Sequence, residues 1–301
     1  MEPPFTLNIL FIINPASGGK KKIKWEPIIR NYFKQLSYQI DFFILRGNGD
    51  AASIGHWIKK LAPQKVVAVG GDGTVSLVAK QLIGTSIPMG ILRAGSANGM
   101  ATELNIPQSP TKALQTILEG DIIKCDVIKI NDKEICIHLS DLGMNARMVK
   151  YYHKNAIHGM WGYSRMIIKI LIQGKPVISH ISADNLEKDV PAYMIVIANA
   201  SKYGTGAVIN PKGSVEDGKF ELVVVRQISF IEFVKMFLKR TRFDPKKVEI
   251  FQTTKAVITT KRATHFQVDG EYLGKVNRIS AIVMSSAIRV IIPNETPEIN
   301  S

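Results

Sequence analysis

Val66-Val67-Ala68-Val69-Gly70-Gly71-Asp72-Gly73-Thr74 is an apolar run that ends in a glycine turn, with a helical pattern over Val75–Ile83 behind it. A continuous apolar run of this length reads as a strand buried on both faces, as in a parallel sheet. The glycines let the backbone turn tightly and bring N–H groups close to a ligand, and the start of the next helix favours phosphate. Asp72 alone would repel phosphate, so its presence implies a bridging divalent cation. The plainer reading is a glycine turn capped by Thr74, but GGDGT behind an apolar strand is far more specific than a lone GxG.

The same alternation runs outward from this stretch. Leu7–Ile13 is a buried-strand run ending at Asn14-Pro15. Trp25, Ile28, Ile29, Tyr32, Phe33 and Leu36 then mark one face of an amphipathic helix. Ile40–Leu45, Ala51–Leu61 and Ile87–Leu92 continue as strand, helix and strand, an order that argues for a parallel sheet with helices on both faces. After about Asp121 the texture changes to short β-rich runs: Ile122–Ile130, Glu134–Leu139, Val177–Ala183, Ala192–Ala198, Phe220–Val225, Val248–Phe251, Ala256–Thr260 and Ile279–Met284. Asn131-Asp132, Asp184-Asn185, Asp217-Gly218 and Asp269-Gly270 punctuate them as turns, which predicts an antiparallel sandwich or barrel with helical insertions at Met160–Ile172 and Ser229–Lys239.

In 301 residues, 46% are apolar and 21% charged, which excludes a disordered or collagen-like chain. Lys and Arg number 39 against 25 Asp and Glu, a formal net charge of +14 that favours polyanionic partners: nucleic acid, an anionic membrane or phosphate-bearing ligands. No RNP, helix-turn-helix or zinc-finger pattern supports nucleic acid. Cys125 and Cys136 are the only cysteines and the six histidines lack ligand spacing, so a structural zinc is not expected and a reducing compartment is. The start lacks the pattern of a signal peptide, and no apolar stretch is long enough to span a membrane.

Five segments together resemble the diacylglycerol kinase catalytic-domain family, which includes bacterial lipid kinases and sphingosine kinases. They are Asn14-Pro15-Ala16-Ser17-Gly18, the GGDGT turn, Gly95-Ser96-Ala97-Asn98 in the place of GTxND, and Asn210-Pro211…Asp217-Gly218 with the late Asp269-Gly270-Glu271. The resemblance implies an α/β Rossmann-like (NAD kinase/diacylglycerol kinase-like) domain plus a mostly antiparallel β-sandwich. The nucleotide-binding domain would take residues 1–122 with the C-terminal segment 287–301, and the lipid-binding sandwich residues 123–286. It implies ATP as phosphate donor, with Mg²⁺. Asn14, Ala16, Ser17, Gly18, Gly19 and Lys20, with Gly70, Gly71, Asp72, Gly73, Thr74, Val75 and Ser76, would surround the phosphates, Ser96 would add a hydroxyl, and Asp72 would face Mg²⁺. A structural Mg²⁺ would take Asp217 and the main-chain carbonyls of Ser214 and Lys219. Glu271, with Asp269 close behind, would be the general base for the lipid hydroxyl.

The chain departs from the family pattern at Leu45, Ser76-Leu77, Gly99 and Thr205. The expected activity is a lipid kinase acting on a diacylglycerol-like or sphingoid-like hydroxyl, cytoplasmic and peripheral at an anionic inner membrane face. An NAD kinase-like enzyme is the alternative from shared GGDGT, and a catalytically weak nucleotide- or lipid-binding homologue the alternative from the departures. Oligomeric state stays open, a homodimer included. Lys20, Lys21, Lys22 and Lys24 can meet phosphate or lipid, or form a solvated loop. Phe230, Phe233, Val234, Phe237 and Leu238 form a helical stripe followed by Lys239, Arg240 and Arg242. Such a helix can lie on an anionic membrane, but the expected outcome is that the stripe packs onto a sheet.

Overall fold

The computed structural model describes residues 7–18, 23–47, 49–147, 175–184, 186–204, 206–238 and 242–294. The expected helix at Met160–Ile172, Gly19, Lys20 and Thr205 lie outside them. The chain divides into two compact units, Met1–Cys125 with Ser286–Ser301, and Asp126–Ser285.

In the first unit, β1 (Leu7–Ile13), β2 (Tyr38–Ile44), β3 (Lys65–Gly70) and β4 (Pro88–Arg93) form a parallel sheet in the order β4-β3-β1-β2. The C-terminal end of β14 (Glu271–Ile292) adds to it beside β4, Arg289 opposite Pro88 and Val290 opposite Met89. The central strands are buried along their length because helices cover both faces. Trp25, Ile29 and Phe33 of α1 (Trp25–Phe33) and Ala113, Leu114 and Ile117 of α5 (Pro110–Glu119) pack on Ile9, Phe11, Val67 and Val69. α2 (Asp50–Leu61) and α3 (Asp72–Leu82) pack against each other and against strands of the same sheet. α4 (Gly99–Glu103) is a short helix after β4.

The helix after the glycine turn starts at Asp72, three residues before the expected Val75. Gly71 is its extended N-cap, and its carbonyl accepts the N–H groups of Thr74 and Val75. Asp72 therefore stands in the first helical turn, where the partial positive charge of the helix end suits a carboxylate.

The second unit is a β-sandwich. β12 (Val248–Thr253), β11 (Phe220–Val225), β10 (Met194–Ala198), β7 (Leu139–Gly143), β13 (Lys255–Val268) and β14 are antiparallel neighbours in that order. β8 (Val177–Ala183) joins β13 and pairs with β9 (Leu186–Ala192), while β5 (Asp121–Ile130) pairs with β6 (Glu134–Cys136). Alternate residues face alternate cores: Ile195 and Ile197 lie in one with Phe220, Leu222, Val224 and Phe266, and Val196 and Ala198 in another with Ile209, Val223 and Val248.

Two features differ from the sequence reading. β9, Leu-Glu-Lys-Asp-Val-Pro-Ala, carries charges and Pro191, the marks of an edge strand, and among the described residues it pairs with β8 alone. β13 and β14 run 14 and 22 residues rather than as short runs, with register irregularities between Thr259 and Thr264 and between Phe266 and Gln267. These let β13 pair with β8 through Ala256–Thr260 and with β7 through Phe266–Val268. Asp269 and Gly270 close the β13–β14 hairpin with φ of +47° and +85°, the left-handed pair that a two-residue turn of this kind needs.

α6 (Phe230–Phe237) does not bury its stripe. Ile231, Phe233, Phe237 and Leu238 are exposed, and Glu232 is buried instead. Periodicity identified the amphipathic helix but not which side faces the protein.

Candidate functional site: three interlocked loops and a buried carboxylate chain

The sheet order β4-β3-β1-β2 places the chain's reversal between β1 and β3. From β1 the chain passes through α1 to one side, and from β3 through α3 to the other. Right-handed crossovers then set those helices on opposite faces and open a crevice at the carboxyl ends of β1 and β3, where open α/β sheets bind ligands. The loops that meet there are Asn14–Gly18, Gly70–Asp72 and Ala94–Asn98.

Side-chain and main-chain bonds lock these loops together. Asn14 Nδ2 donates to Thr74 Oγ1 at 3.1 Å, its Oδ1 accepts Ala16 N–H at 2.9 Å, and its own N–H donates to Val69 O. Asn98, at φ +54°, accepts from Gly95 N–H and donates to Gly95 O, closing its turn. Asp72 Oδ1 accepts the main-chain N–H of Gly99 at 2.5 Å, tying the turn after β3 to the loop after β4. The departure at Gly99 thus leaves a main-chain donor serving Asp72.

The glycines answer to space. A Cβ on Gly95 would lie 2.3 Å from the Cα of Gly71, and one on Gly70 would lie 2.2 Å from Thr74 Oγ1. The crevice is thereby lined by bare backbone, the condition for close approach of a phosphate. Thr74, Val75 and Ser76 are buried within α3, Asn14, Ser17, Gly18 and Asp72 are half-buried, and Ala16, Gly73 and Ser96 are exposed. The structure brings Asn14, Ala16, Gly70, Gly71, Asp72 and Thr74 into one network, with Gly95 and Gly99 added to it.

In the second unit the two carboxylates of Asp269-Gly270-Glu271 occupy different surroundings. Asp269 is buried; its oxygens accept the N–H groups of Ile137 and His138 at 3.0 Å each and the Cys136 thiol at 3.4 Å. Burial raises its pKa, against the pull of those N–H bonds. Glu271 is exposed at the start of β14. Gln267 accepts Gly270 N–H at 2.7 Å and donates to Asp141 Oδ2 at 2.5 Å, and Asn145 donates to that same oxygen at 2.5 Å. Asp141 is fully buried, and the Ala146 main chain bonds its carboxylate as well. Burial raises its pKa to about 6, although the bonds from Asn145 and Gln267 oppose the shift.

Asp217, Ser214 and Lys219 share a turn that Asp126 holds from beneath. Gly218 N–H donates to Asp126 Oδ2 at 2.6 Å and Asp126 N–H donates to Val215 O at 2.7 Å. Asp217 Oδ1 accepts Lys219 N–H, while its Oδ2 and Glu221 Oε1 share the Gln252 amide at 3.0 Å each. Burial first, and the Asp217 charge beside it, raise the Glu221 pKa. Two carboxylates on one amide donor make an oxygen-rich turn that suits a hard cation such as Mg²⁺. Among the described residues no group of three or more His, Cys, Asp and Glu side chains is arranged to hold a metal, a pattern distinct from one carboxylate with main-chain carbonyls.

Asp126 and Asp141 escaped the sequence reading. The available signal was an acid inside an apolar strand, Cys125-Asp126-Val127 and Ser140-Asp141-Leu142, where an unneeded charge would be costly.

The fold is a Rossmann-like unit joined to a β-sandwich. The model of the diacylglycerol kinase catalytic domain matches residues 8–130, and that of the YegS C-terminal NAD kinase beta sandwich-like domain matches residues 140–292. The chain belongs to the diacylglycerol kinase catalytic-domain family. It is 28% identical over 255 residues to an Escherichia coli protein named "Probable lipid kinase YegS", covering 83% of this chain and 85% of the relative. A Klebsiella pneumoniae protein, "Probable lipid kinase YegS-like", is 27% identical over 293 residues, covering 96% and 97%. Among solved structures, a diacylglycerol kinase from Bacillus anthracis shares the fold with a TM-score of 0.71 at 17% identity, covering 97% of this chain and 99% of that one. An NAD kinase from Archaeoglobus fulgidus in complex with ATP does so with a TM-score of 0.55 at 13% identity, covering 96% and 95%. The family is one of kinases, so phosphoryl transfer and nucleotide use come with membership. No helix of the described residues is long and apolar enough to cross a membrane.

Gly95→Ala should force the loops after β3 and β4 apart, lowering stability by about 1–3 kcal/mol and weakening nucleotide binding. Thermal melting with and without ATP checks both effects, and unchanged values in both would remove the close approach from the site.

Asp141 binds its proton more tightly folded than unfolded, so its contribution is fully present below pH 3.8, its ordinary value, and is lost as pH rises through about 6. Asp141→Asn cannot ionise, so its melting temperature should gain on wild type across that window and hold the gain above it. Parallel pH profiles for the two proteins would show that Asp141 does not titrate there.

Proposed function

We propose that this chain is an ATP- and Mg²⁺-dependent lipid kinase that phosphorylates a hydroxyl of a diacylglycerol-like or sphingoid-like lipid at a cytoplasmic membrane surface. The observation that carries the reading is the locking of three loops at the carboxyl ends of β1, β3 and β4, with Gly71 against Gly95 and Asp72 bonded to Gly99. The relatives' names support a lipid as the acceptor.

Phosphoryl transfer needs positioning, charge neutralisation and a base, with little covalent chemistry from the protein. Asn14, Gly70, Gly71 and the start of α3 are assigned to orient the phosphates of ATP through main-chain groups. Mg²⁺, when bound, would neutralise phosphate charge beside Asp72 and stiffen the turn bearing Asp217, Ser214 and Lys219. The lipid hydroxyl oxygen bonds to the γ-phosphorus, the bond from that phosphorus to the ADP oxygen breaks, and the hydroxyl proton passes to a carboxylate. Glu271 suits that role better than Asp269, because Glu271 is exposed whereas Asp269 spends both oxygens on Ile137 and His138.

Incubation with radiolabelled ATP and total lipid extract, beside a second arm with NAD, should yield a labelled lipid. Label in NADP alone, or in no product, would overturn the proposal. Glu271→Gln should lower turnover about 10²–10⁴-fold with melting unchanged, as for a lost general base. Asp269→Asn should lower stability by about 1–3 kcal/mol, since one of its two buried N–H partners loses its acceptor. Normal turnover in Glu271→Gln beside a fully folded, inactive Asp269→Asn would transfer the base role to Asp269.

A further inference from the structure

α6 is an amphipathic helix turned inside out. At 3.6 residues per turn, Phe233, Phe237, Val234, Leu238 and Ile231 fill one arc about 160° wide. That arc faces outward: Ile231 is 63% exposed, Phe233 44%, Phe237 51% and Leu238 60%. Glu232, Lys235 and Met236 take the opposite side, and Glu232 is 5% exposed. The orientation is fixed by bonds on the inner face. Glu232 pairs with Lys235 at 2.9 Å and accepts the N–H of Asp244 at 3.3 Å, Val208 N–H donates to Met236 O at 3.0 Å, and Met236 packs on the core of Ile209 and Val223. Phe233 and Phe237 touch edge to face at 5.2 Å, which makes one continuous aromatic surface.

The charge around this surface selects its partner. From Arg226 to Lys247 the sequence carries Arg226, Lys235, Lys239, Arg240, Arg242, Lys246 and Lys247 against Glu232 and Asp244. Both acids are engaged, Glu232 with Lys235 and Asp244 with Lys247. An apolar arc in a stretch of sequence with this basic excess has the chemistry of an interfacial helix, with rings in the acyl boundary and cations at anionic headgroups. A second copy of the chain would bring the same cations against themselves.

We propose that α6 is the membrane-docking element of this protein and inserts Phe233, Phe237, Leu238 and Ile231 into an anionic lipid bilayer. The proposal deepens the lipid-kinase reading and rests on it for its purpose. The helix carries no part of the phosphoryl chemistry assigned above, so binding and catalysis separate cleanly.

The test uses the full chain with vesicles of phosphatidylcholine, pure or mixed with phosphatidylglycerol. Cys125 and Cys136 are both buried, so Leu238→Cys offers one accessible thiol among the described residues for an environment-sensitive fluorophore. On mixed vesicles its emission should shift to the blue and be quenched by spin-labelled acyl chains, with neither effect on pure phosphatidylcholine. Phe233→Ser with Phe237→Ser should weaken partition onto mixed vesicles by about tenfold or more, given the apolar area of two rings. Its melting should be unchanged, and so should phosphorylation of lipid extract dispersed in detergent micelles. A doubly substituted protein that still partitions like wild type, or a label that stays in water while the protein sediments with vesicles, would overturn the proposal. So would a blue-shifted label without vesicles accompanied by concentration-dependent dimerisation, since a second copy would then cover the face. Failure of wild type to label any micellar lipid would sink the kinase reading while leaving the vesicle result standing.

Discussion

The approach of Gly71 to Gly95 is the constraint on which the first unit's site depends. The absence of a Cβ on either residue lets the chain leaving β3 and the chain leaving β4 run in contact, and a methyl group on Gly95 would stand 2.3 Å from the neighbouring Cα. Once the two backbones touch, Asp72 falls within reach of Gly99 N–H, and Thr74, packed over Gly70, reaches Asn14. Each bond is individually worth about 1 kcal/mol. Their joint effect is geometric: three loops that would otherwise sample many conformations present one arrangement of bare backbone. This is the pre-organisation that phosphate binding requires, because the ordering cost is met on folding rather than on ligand binding.

The second unit reaches rigidity by a different route. Here carboxylates, rather than glycines, hold the turns. Asp269 clasps the N–H groups of Ile137 and His138, Gln267 links Gly270 to Asp141, and Asp126 grips the turn at Gly218. Buried acids are costly unless bonded, so their placement inside apolar strands has to be offset by what they fix. What they fix are the two turns whose motifs identified this half of the chain, Asp217-Gly218 and Asp269-Gly270-Glu271. The division of labour inside the second motif follows. Asp269 is a structural acceptor within the protein, which leaves Glu271 as the carboxylate open to solvent.

Legibility in the sequence tracked the range of the determining forces. Buried parallel strands such as Leu7–Ile13 and the turn at Gly70-Gly71 are governed by local composition, and they could be read directly. The start of α3 at Asp72 could not, because the deciding feature is the extended conformation of Gly71, which lets its carbonyl accept two helical N–H groups. β9 was hidden by charges and Pro191 that serve an edge strand. Asp141 and Asp126 were invisible as partners because Gln267 and Gly218 lie 126 and 92 residues further along the chain. The site was legible where motif and local geometry coincide, and illegible where a distant segment supplies the bond.

α6 shows why periodicity cannot assign an inside and an outside. A stripe of Phe233, Val234, Phe237 and Leu238 would ordinarily be the buried face, since burial of such side chains is worth about 1.5–3 kcal/mol each. The opposite face wins here because it has specific partners. Met236 has a core to enter, its carbonyl accepts Val208 N–H, and Glu232 has both a cation and the Asp244 N–H to satisfy it. An outward apolar face costs little if the medium it meets is itself apolar. The energy forgone in the isolated chain is then available at a bilayer surface, and the flanking cations restrict where it can be recovered to membranes of negative charge. Stability given up on one helix face thus acts as specificity for a surface.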